Sequence, residues 1–193
     1  RATLGKSLLD VQRELRIPLL YVSHSLDEVA RLATHMVLLD AGRVSANGPT
    51  GELLTRLDLP LAHGDHAGAV IDGALAAIDQ RWNLLEVRFA GGVLHCVQAA
   101  GSPPRQVGER LRLRVLARDV SLALAPASDT SILNVLPATV HSLTDDGPAQ
   151  TLVALDLAGS TLLARVTRKS AAALRLSAGQ RVFAQVKGVA LLD

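Results

Sequence analysis

The spacing of apolar residues changes along the chain, and this change restricts the fold more than any other feature. Apolar residues recur at helical spacing over 4–15, and short, continuously apolar runs stand at 19–22 and 36–39. Over 85–97 the apolar residues instead alternate with polar ones. A continuous apolar run is typical of a strand buried in a parallel sheet, whereas alternation is typical of antiparallel strands with one face in the core. The sequence therefore predicts an α/β segment followed by a mainly antiparallel β region.

The α/β segment contains residues that are typical of helix ends and helix starts. Pro18 ends the first helix, and the run 19–22 is predicted to be a buried parallel strand. Residues 25–28 read Ser-Leu-Asp-Glu, a capping-box sequence, so a second helix is expected to begin there. We expect another strand over 36–39, a turn at 40–43 and a last short helix within 50–57.

Residues 58–68 separate the two patterns. They are polar and contain proline and glycine, which favours a linker. Beyond them two pairs of similar strings repeat at nearly equal separations, 89–94 with 157–162 and 108–115 with 179–186. A first β-unit over 69–129 and a second over 130–193 are predicted, as two small barrels or one composite barrel. The alternative explanation of the repeated strings is that all β hairpins share glycine turns and an alternation of apolar and polar residues.

The composition excludes several classes of protein. Lysine and arginine number 20 against 18 aspartates and glutamates, a net charge of +2, and the aromatic residues are one Trp, one Tyr and two Phe. Proteins that bind single-stranded nucleic acid need a basic groove with aromatic stacking platforms, so nucleic acid is not an expected partner. The one cysteine, Cys96, cannot form an internal disulfide, and no apolar run approaches the roughly 18 residues of a membrane span. A soluble, intracellular chain is expected.

His24 is the most prominent candidate for chemistry. It follows the apolar run 19–22 and directly precedes the capped helix. Ligands of open α/β sheets gather at the carboxyl ends of strands, where the amides of a following helix favour anions, so a phosphate group is the expected ligand. The alternative is a histidine that only bridges strand and helix through a hydrogen bond, and position alone favours this second interpretation.

The strings 20–33 and 36–44 resemble the switch-histidine segment and final hairpin of the ATPase subunits of ABC transporters. The resemblance covers residues 1 to about 57. It implies that His24 contacts the γ-phosphate of ATP and helps to hold the attacking water, while Asp27 and Glu28 belong to the following helix. It also places residue 1 just after the D-loop, with most of the nucleotide-binding domain upstream, so 1–57 are expected to be an α/β remnant of such a domain.

The nucleotide-binding motifs of such subunits are not found in these 193 residues. There is no G-x-x-x-x-G-K-[ST] phosphate loop, no LSGGQ-like signature, and no apolar strand that ends in paired acidic residues. This part alone is therefore expected not to hydrolyse ATP and to hold no cofactor. The resemblance implies that ATP and Mg²⁺ are bound by the intact subunit.

The C-terminal strings resemble the Mop domain, a molybdate-binding, OB-like domain that ends the ATP-binding subunits of molybdate and tungstate importers. The resemblance covers 130–193 and rests on three strings, 129–136, 165–174 and 185–189. It implies an OB-like barrel and a cytoplasmic subunit, peripheral to the membrane, whose partners are a second copy of itself and a membrane permease. Molybdate or tungstate is the implied ligand.

By that resemblance Ser131, Asn134 and Lys187 are the oxyanion-binding residues. Two positions depart from the family pattern, because Leu133 stands in place of an arginine and Gly188 in place of a small hydroxyl residue. An oxyanion needs several charge-assisted donors. A structural or regulatory barrel without a ligand is therefore the alternative.

Two functions of different classes remain open from the sequence. The first is the C-terminal part of the ATP-hydrolysing subunit of a molybdate-type importer, with a regulatory β domain. The second is a free-standing oxyanion-binding or regulatory protein that uses the β-barrel and keeps 1–57 as a docking segment.

Other polar residues are interpreted as structural. His63 and His66 flank Asp65, but no third fixed ligand accompanies them, so no metal site is expected and both imidazoles are predicted to be solvent-exposed. Cys96 is expected to be a buried thiol. A basic strand face formed by Arg110, Arg112 and Arg114 is expected to be solvated and balanced by Glu86, Glu109 and Asp119, and the alternative is a surface that binds an acidic partner. Because the strand at 19–22 has an open edge, the chain is expected to dimerise.

Overall fold

The computed structural model describes residues 18–126 and 128–192. The helix predicted over 4–15 lies outside this part. Two short 3₁₀ helices, Pro60–Ala62 and Ala117–Asp119, accompany the main elements. In chain order these are α1 (Leu26–Leu32), β1 (His35–Asp40), β2 (Arg43–Pro49), α2 (Thr50–Leu53), β3 (Gly68–Asp79), β4 (Leu84–Phe89), β5 (Gly92–Val97), β6 (Arg110–Leu116), β7 (Val120–Ala123), β8 (Asn134–Asp146), β9 (Gln150–Leu157), β10 (Ser160–Thr167), α3 (Arg168–Ala173), β11 (Arg181–Val186) and β12 (Ala190–Leu191).

The second helix and a strand over 36–39 form as predicted, but this strand is antiparallel to its neighbour and exposes Val37 and Leu39. The Ser25 hydroxyl accepts a hydrogen bond from the Glu28 amide at 3.4 Å and caps α1, as the capping-box sequence predicts. Strands β1 and β2 form an antiparallel hairpin. Its two turn residues, Ala41 and Gly42, have φ values of 47° and 75°. Positive φ at both central residues is typical of a type I′ turn, whose twist matches that of the strands.

The prediction of a buried strand over 19–22 is wrong. These residues form neither helix nor strand, and the exposed fractions of Leu20 and Val22 are 92% and 89%. A parallel strand is stable only between neighbours that satisfy its backbone groups and cover both of its faces. None of the strands described in 18–126 and 128–192 pairs with this segment, and its apolar side chains consequently face solvent.

Two five-stranded sheets make up the rest of the structure, and every strand pairing in them is antiparallel. The first sheet has the strand order β12-β6-β3-β4-β5, and the second has the order β7-β11-β8-β9-β10. The predicted mainly antiparallel β region is thus confirmed. No helix in the described part of the chain is long and apolar enough to cross a membrane.

The two sheets are built alike, strand for strand. In each sheet a long bulged strand, β3 or β8, pairs on one side with the first strand of a hairpin, β4 or β9. On its other side it pairs with β6 or β11, and each of these begins at the arginine of a Gly-x-Arg string. The bulges lie between Leu75 and Ala77 in β3 and between Val140 and Ser142 in β8. This correspondence is the structural counterpart of the repeated strings in the sequence.

One of the two edge strands of each sheet, β12 in the first and β7 in the second, comes from the other half of the β region. Strand β7 follows β6 in the chain but pairs with β11, while β12 follows β11 but pairs with β6. The Lys187 amide, directly after β11, donates to the Asp119 carbonyl at 2.8 Å. Each of the two predicted units, 69–129 and 130–193, therefore contributes a strand to the sheet of the other, and the boundary between them stays a prediction.

The two sheets share one hydrophobic core. Leu85, Val87 and Leu94 from the first sheet pack with Leu155 and Leu162 from the second, and all five are essentially inaccessible to solvent. The two halves come so close at Gly91 that a Cβ there would lie 2.6 Å from the Cβ of Leu157. Only glycine fits at this approach. The composite arrangement, rather than two separate barrels, is the one observed.

Candidate functional site

The loop that carries His24 is held by hydroxyl groups on both sides. The Ser25 amide donates to the Ser23 hydroxyl oxygen at 3.0 Å, and the Ser23 hydroxyl donates to the Glu28 carboxylate at 2.7 Å. The Tyr21 hydroxyl donates to the same carboxylate at 2.9 Å. Because Glu28 lies in α1, these bonds fix the loop to the first turn of that helix.

His24 itself is not part of this network. Its side chain is exposed and makes no hydrogen bond or ion pair with any residue that the structure describes. The interpretation of His24 as a histidine that bridges strand and helix through a hydrogen bond is therefore not the one observed. An exposed imidazole on a restrained loop can donate from one ring nitrogen and accept at the other. Contact with a phosphate group stays a prediction for this residue.

The residues predicted to bind an oxyanion lie near one end of the β8–β11 pair. Asn134 is opposite Val186 in the strand register, and Lys187 follows directly. Lys187 and Ser131 are exposed. The structure thus brings Asn134 and Lys187 to the same end of the sheet, with Ser131 three residues before the strand. Their role in oxyanion binding stays a prediction.

The Asn134 side chain already bonds to backbone on two strands. It is 6% exposed, and its carbonyl oxygen accepts from the His95 amide at 2.7 Å. Its amide group donates to the His95 carbonyl at 3.0 Å and to the Val186 carbonyl at 3.5 Å. The side chain therefore joins β5 of the first sheet to β11 of the second.

The Asp119 carboxylate occupies the same end of the sheet. A Cβ on Gly188 would lie 2.9 Å from Oδ2 of Asp119, so this side chain covers the glycine next to Lys187. The exposed Leu133 supplies no charge there. A negative group beside Lys187 disfavours an anion by direct repulsion. Asp119 was expected to balance the basic face of β6, and the structure contradicts that expectation.

The other two carboxylates expected to balance that face are also engaged elsewhere. Glu109 pairs with Arg105 at 2.7 Å, and Glu86 lies 3.7 Å from His95. Arg112 and Arg114 instead contact α1, which spacing along β6 does not reveal, while Arg110 makes no hydrogen bond or ion pair within the described residues.

His63 is half-buried, which contradicts its predicted exposure, whereas His66 is exposed as predicted. The Nε2 atom of His63 lies 2.9 Å from the Leu57 carbonyl oxygen, and Nδ1 lies 3.0 Å from Asp146. Arg165 contacts the same Asp146 carboxylate at 2.8 Å. Both ring nitrogens face acceptors, so the protonated imidazole fits this site. The bond to Leu57 raises the pKa of His63, as does the bond to Asp146, while burial opposes both.

Comparisons with known proteins show one matching domain family and several similar proteins. Residues 130–192 match the TOBE domain family. Over 185 residues the chain is 55% identical to the molybdenum import ATP-binding protein ModC of Albidiferax ferrireducens, which covers 94% of this chain and 48% of that protein. Residues 130–192 thus form a TOBE domain, and nearly the whole chain is similar to a molybdenum import ATP-binding protein.

A second relative has the same printed name. The protein from Thiobacillus denitrificans is 54% identical over 180 residues, which make up 93% of this chain and 49% of that protein. The chain therefore spans about half the length of the relatives it matches. The C-terminal resemblance to the end domain of importer subunits is confirmed.

The chain is also similar to a solved structure. The cytoplasmic molybdate-binding protein ModG, in a form with molybdate bound, superposes with a TM-score of 0.57 at 26% identity. The match covers 63% of this chain and 93% of that one.

We expect the His63 contacts to stabilise the fold at acidic and neutral pH and to be lost at alkaline pH. Because its folded-state pKa is raised, the contribution is full below about 6.5, the ordinary histidine value, and disappears as pH rises through the raised value. Urea midpoints of the parent and of His63→Gln should therefore differ at pH 6 and converge at about pH 9.

His141→Gln is the matched control, since His141 is exposed and makes no hydrogen bond or ion pair within the described residues. It should follow the parent at both values. A constant difference between parent and His63→Gln across this pH range would contradict the account.

Proposed function

We propose that this chain is the C-terminal part of the ATP-hydrolysing subunit that powers import of molybdate or a related oxyanion, with a regulatory β domain at its end. The observation that carries the proposal is 55% identity over 94% of the chain to a protein named for molybdenum import and ATP binding. The restrained loop around His24 supports it, because a switch residue must be exposed and yet held in place.

His24 would act on the terminal phosphate of ATP. Its imidazole would donate one hydrogen bond to the γ-phosphate and accept one from the attacking water. Phosphoryl transfer depends on donors placed in advance around the developing charge, and the Ser23–Glu28 contacts restrict where the ring can go. The nucleotide itself would be held mainly by phosphate-loop residues outside this chain.

Magnesium accompanies ATP in such a reaction and neutralises phosphate charge. Within 18–126 and 128–192, no group of three or more His, Cys, Asp or Glu side chains is placed to hold a metal ion. The ion would enter the site together with ATP.

The partners would be a second copy of the subunit and a membrane permease, at the cytoplasmic face of the membrane. The exposed apolar residues of 19–22 support an additional covering surface, since Leu20 and Val22 are almost fully exposed. In the intact subunit, strands upstream of this chain would cover them.

The test is the variant His24→Ala in the longer subunit. We expect ATP affinity to stay close to that of the parent and turnover to fall about 10²- to 10³-fold, the usual effect of losing one preorganised donor to the transition state. ATPase rates are measured beside ATP binding and melting temperature, with His141→Ala as the control. Turnover within about threefold of the parent would contradict the role of His24.

A second function is favoured by one observation, the similarity to ModG with molybdate bound. In this alternative the β region itself binds the oxyanion, through Ser131, Asn134 and Lys187. Asp119, Leu133 and the bonded Asn134 side chain all weaken such a site in the structure described.

Calorimetric titration of the 193-residue chain with molybdate tests the alternative. A Kd below about 10 μM, equivalent to roughly 7 kcal/mol, that is lost on Lys187→Ala would support it. We expect much weaker binding by the parent, because Asp119 repels the anion, and tighter binding by Asp119→Asn. Equal affinities for the parent and Asp119→Asn would contradict this electrostatic explanation.

A further inference from the structure

Two arginines of the β region contact the two ends of the helix that begins beside His24. Helix α1 contacts strand β6 through the side chains of Arg112 and Arg114. Side chains two residues apart in a strand point to the same face and stand roughly 7 Å apart. Both guanidinium groups therefore face α1, and each of them contacts a different end of it.

Arg112 holds the C-terminal end of α1. Its Nη1 donates to the Ala33 carbonyl at 2.9 Å and to the Ala30 carbonyl at 3.5 Å. Carbonyls at a helix end lack partners within the helix and favour a cation. Asp72 stands opposite Arg112 in the β3–β6 register and accepts from Nε at 2.8 Å and from Nη2 at 3.3 Å. This two-point pairing directs the remaining nitrogen at the helix.

Arg114 holds the N-terminal end. Its side chain is 4% exposed, and its Nη2 lies 3.4 Å from the carboxylate of Asp27 in the first turn of α1. The same nitrogen donates to the His66 carbonyl at 2.6 Å. Burial lowers the pKa of Arg114 and the charge of Asp27 opposes that shift. A buried cation with few partners is costly to leave unpaired, so the contact with Asp27 resists separation.

His24 is fixed to the same helix. It stands directly before Ser25, the N-cap of α1, and the loop on its other side bonds to Glu28 within α1. With both ends of α1 attached to β6, neither helix nor loop can shift without breaking a contact to the β region.

We propose that Arg112 and Arg114 are positioning residues for His24, through which the β region sets the placement of the switch loop. This inference rests on the proposed function. It makes the basic face of β6 a mechanical link between the β region and the ATP-hydrolysing site, not a docking surface for an acidic partner. Displacement of β6 would move His24 away from the γ-phosphate and slow hydrolysis without reducing nucleotide binding.

The first test measures ATP hydrolysis by the longer subunit. Arg112→Met and Arg114→Met should each lower kcat by about 3- to 30-fold, as expected for a residue that acts through another, and leave KM for ATP within about twofold of the parent. Arg110→Met is the matched control, because Arg110 lies on the same face of β6 but is exposed and makes no hydrogen bond or ion pair within the described residues. It should equal the parent.

Comparison with His24→Ala separates the inference from the proposed function. If His24→Ala hydrolyses ATP normally, the role proposed for His24 is wrong, whatever the arginine variants do. If His24→Ala is impaired while Arg112→Met and Arg114→Met match Arg110→Met, the inference is wrong. A parallel loss of nucleotide affinity and kcat would also overturn it, since that pattern indicates a general structural defect.

The second test uses hydrogen exchange on the 193-residue chain and needs no nucleotide. Arg112→Met should speed exchange of the α1 amides, such as those of Val29 and Ala33, by about tenfold or more and leave the β3 and β6 amides unchanged. Asp72→Asn provides a milder variant, since its carboxylate is 65% exposed and touches Arg112 but not α1. Unchanged exchange of α1 in both variants would contradict the link.

Discussion

The reciprocal pairing of two short strands is the constraint on which the β region depends. Strands β7 and β12 have four and two residues, too few to be stable away from a sheet. Each pairs at the edge of the sheet formed by the other half, so neither half has a complete sheet of its own. The shared core follows from this exchange, because the crossing strands hold the inner faces of the two sheets against each other.

Local patterns were sufficient to predict the hairpins and the first helix cap. Alternation marks β4 and β5, and Gly159, with φ of 90°, supplies a positive φ that the turn between β9 and β10 needs. The exchange could not be predicted, since four alternating residues do not reveal which sheet edge accepts them. The strand expected over 19–22 failed because its stability depends on neighbours that the described chain does not supply.

The candidate site shows the same division between local and long-range information. His24 and its capping serine were visible in the sequence because they are adjacent. The partners of the arginines were not, since Arg112 and Asp72 lie 40 positions apart and His63 and Asp146 lie 83 apart. The predicted oxyanion residues converge only in part, because Asn134 has become a bridge between the sheets and Asp119 lies beside Lys187.

Native-state hydrogen exchange of the β4 and β9 amides, in the parent and in Leu155→Ala, tests the shared core most directly. Leu155 is fully buried in the second sheet, and its truncation should cost about 2 to 5 kcal/mol. If the two sheets open together, the opening free energies of β4 and β9 fall by equal amounts. A loss confined to β9, with β4 unchanged, would show that the sheets unfold separately and would contradict the account.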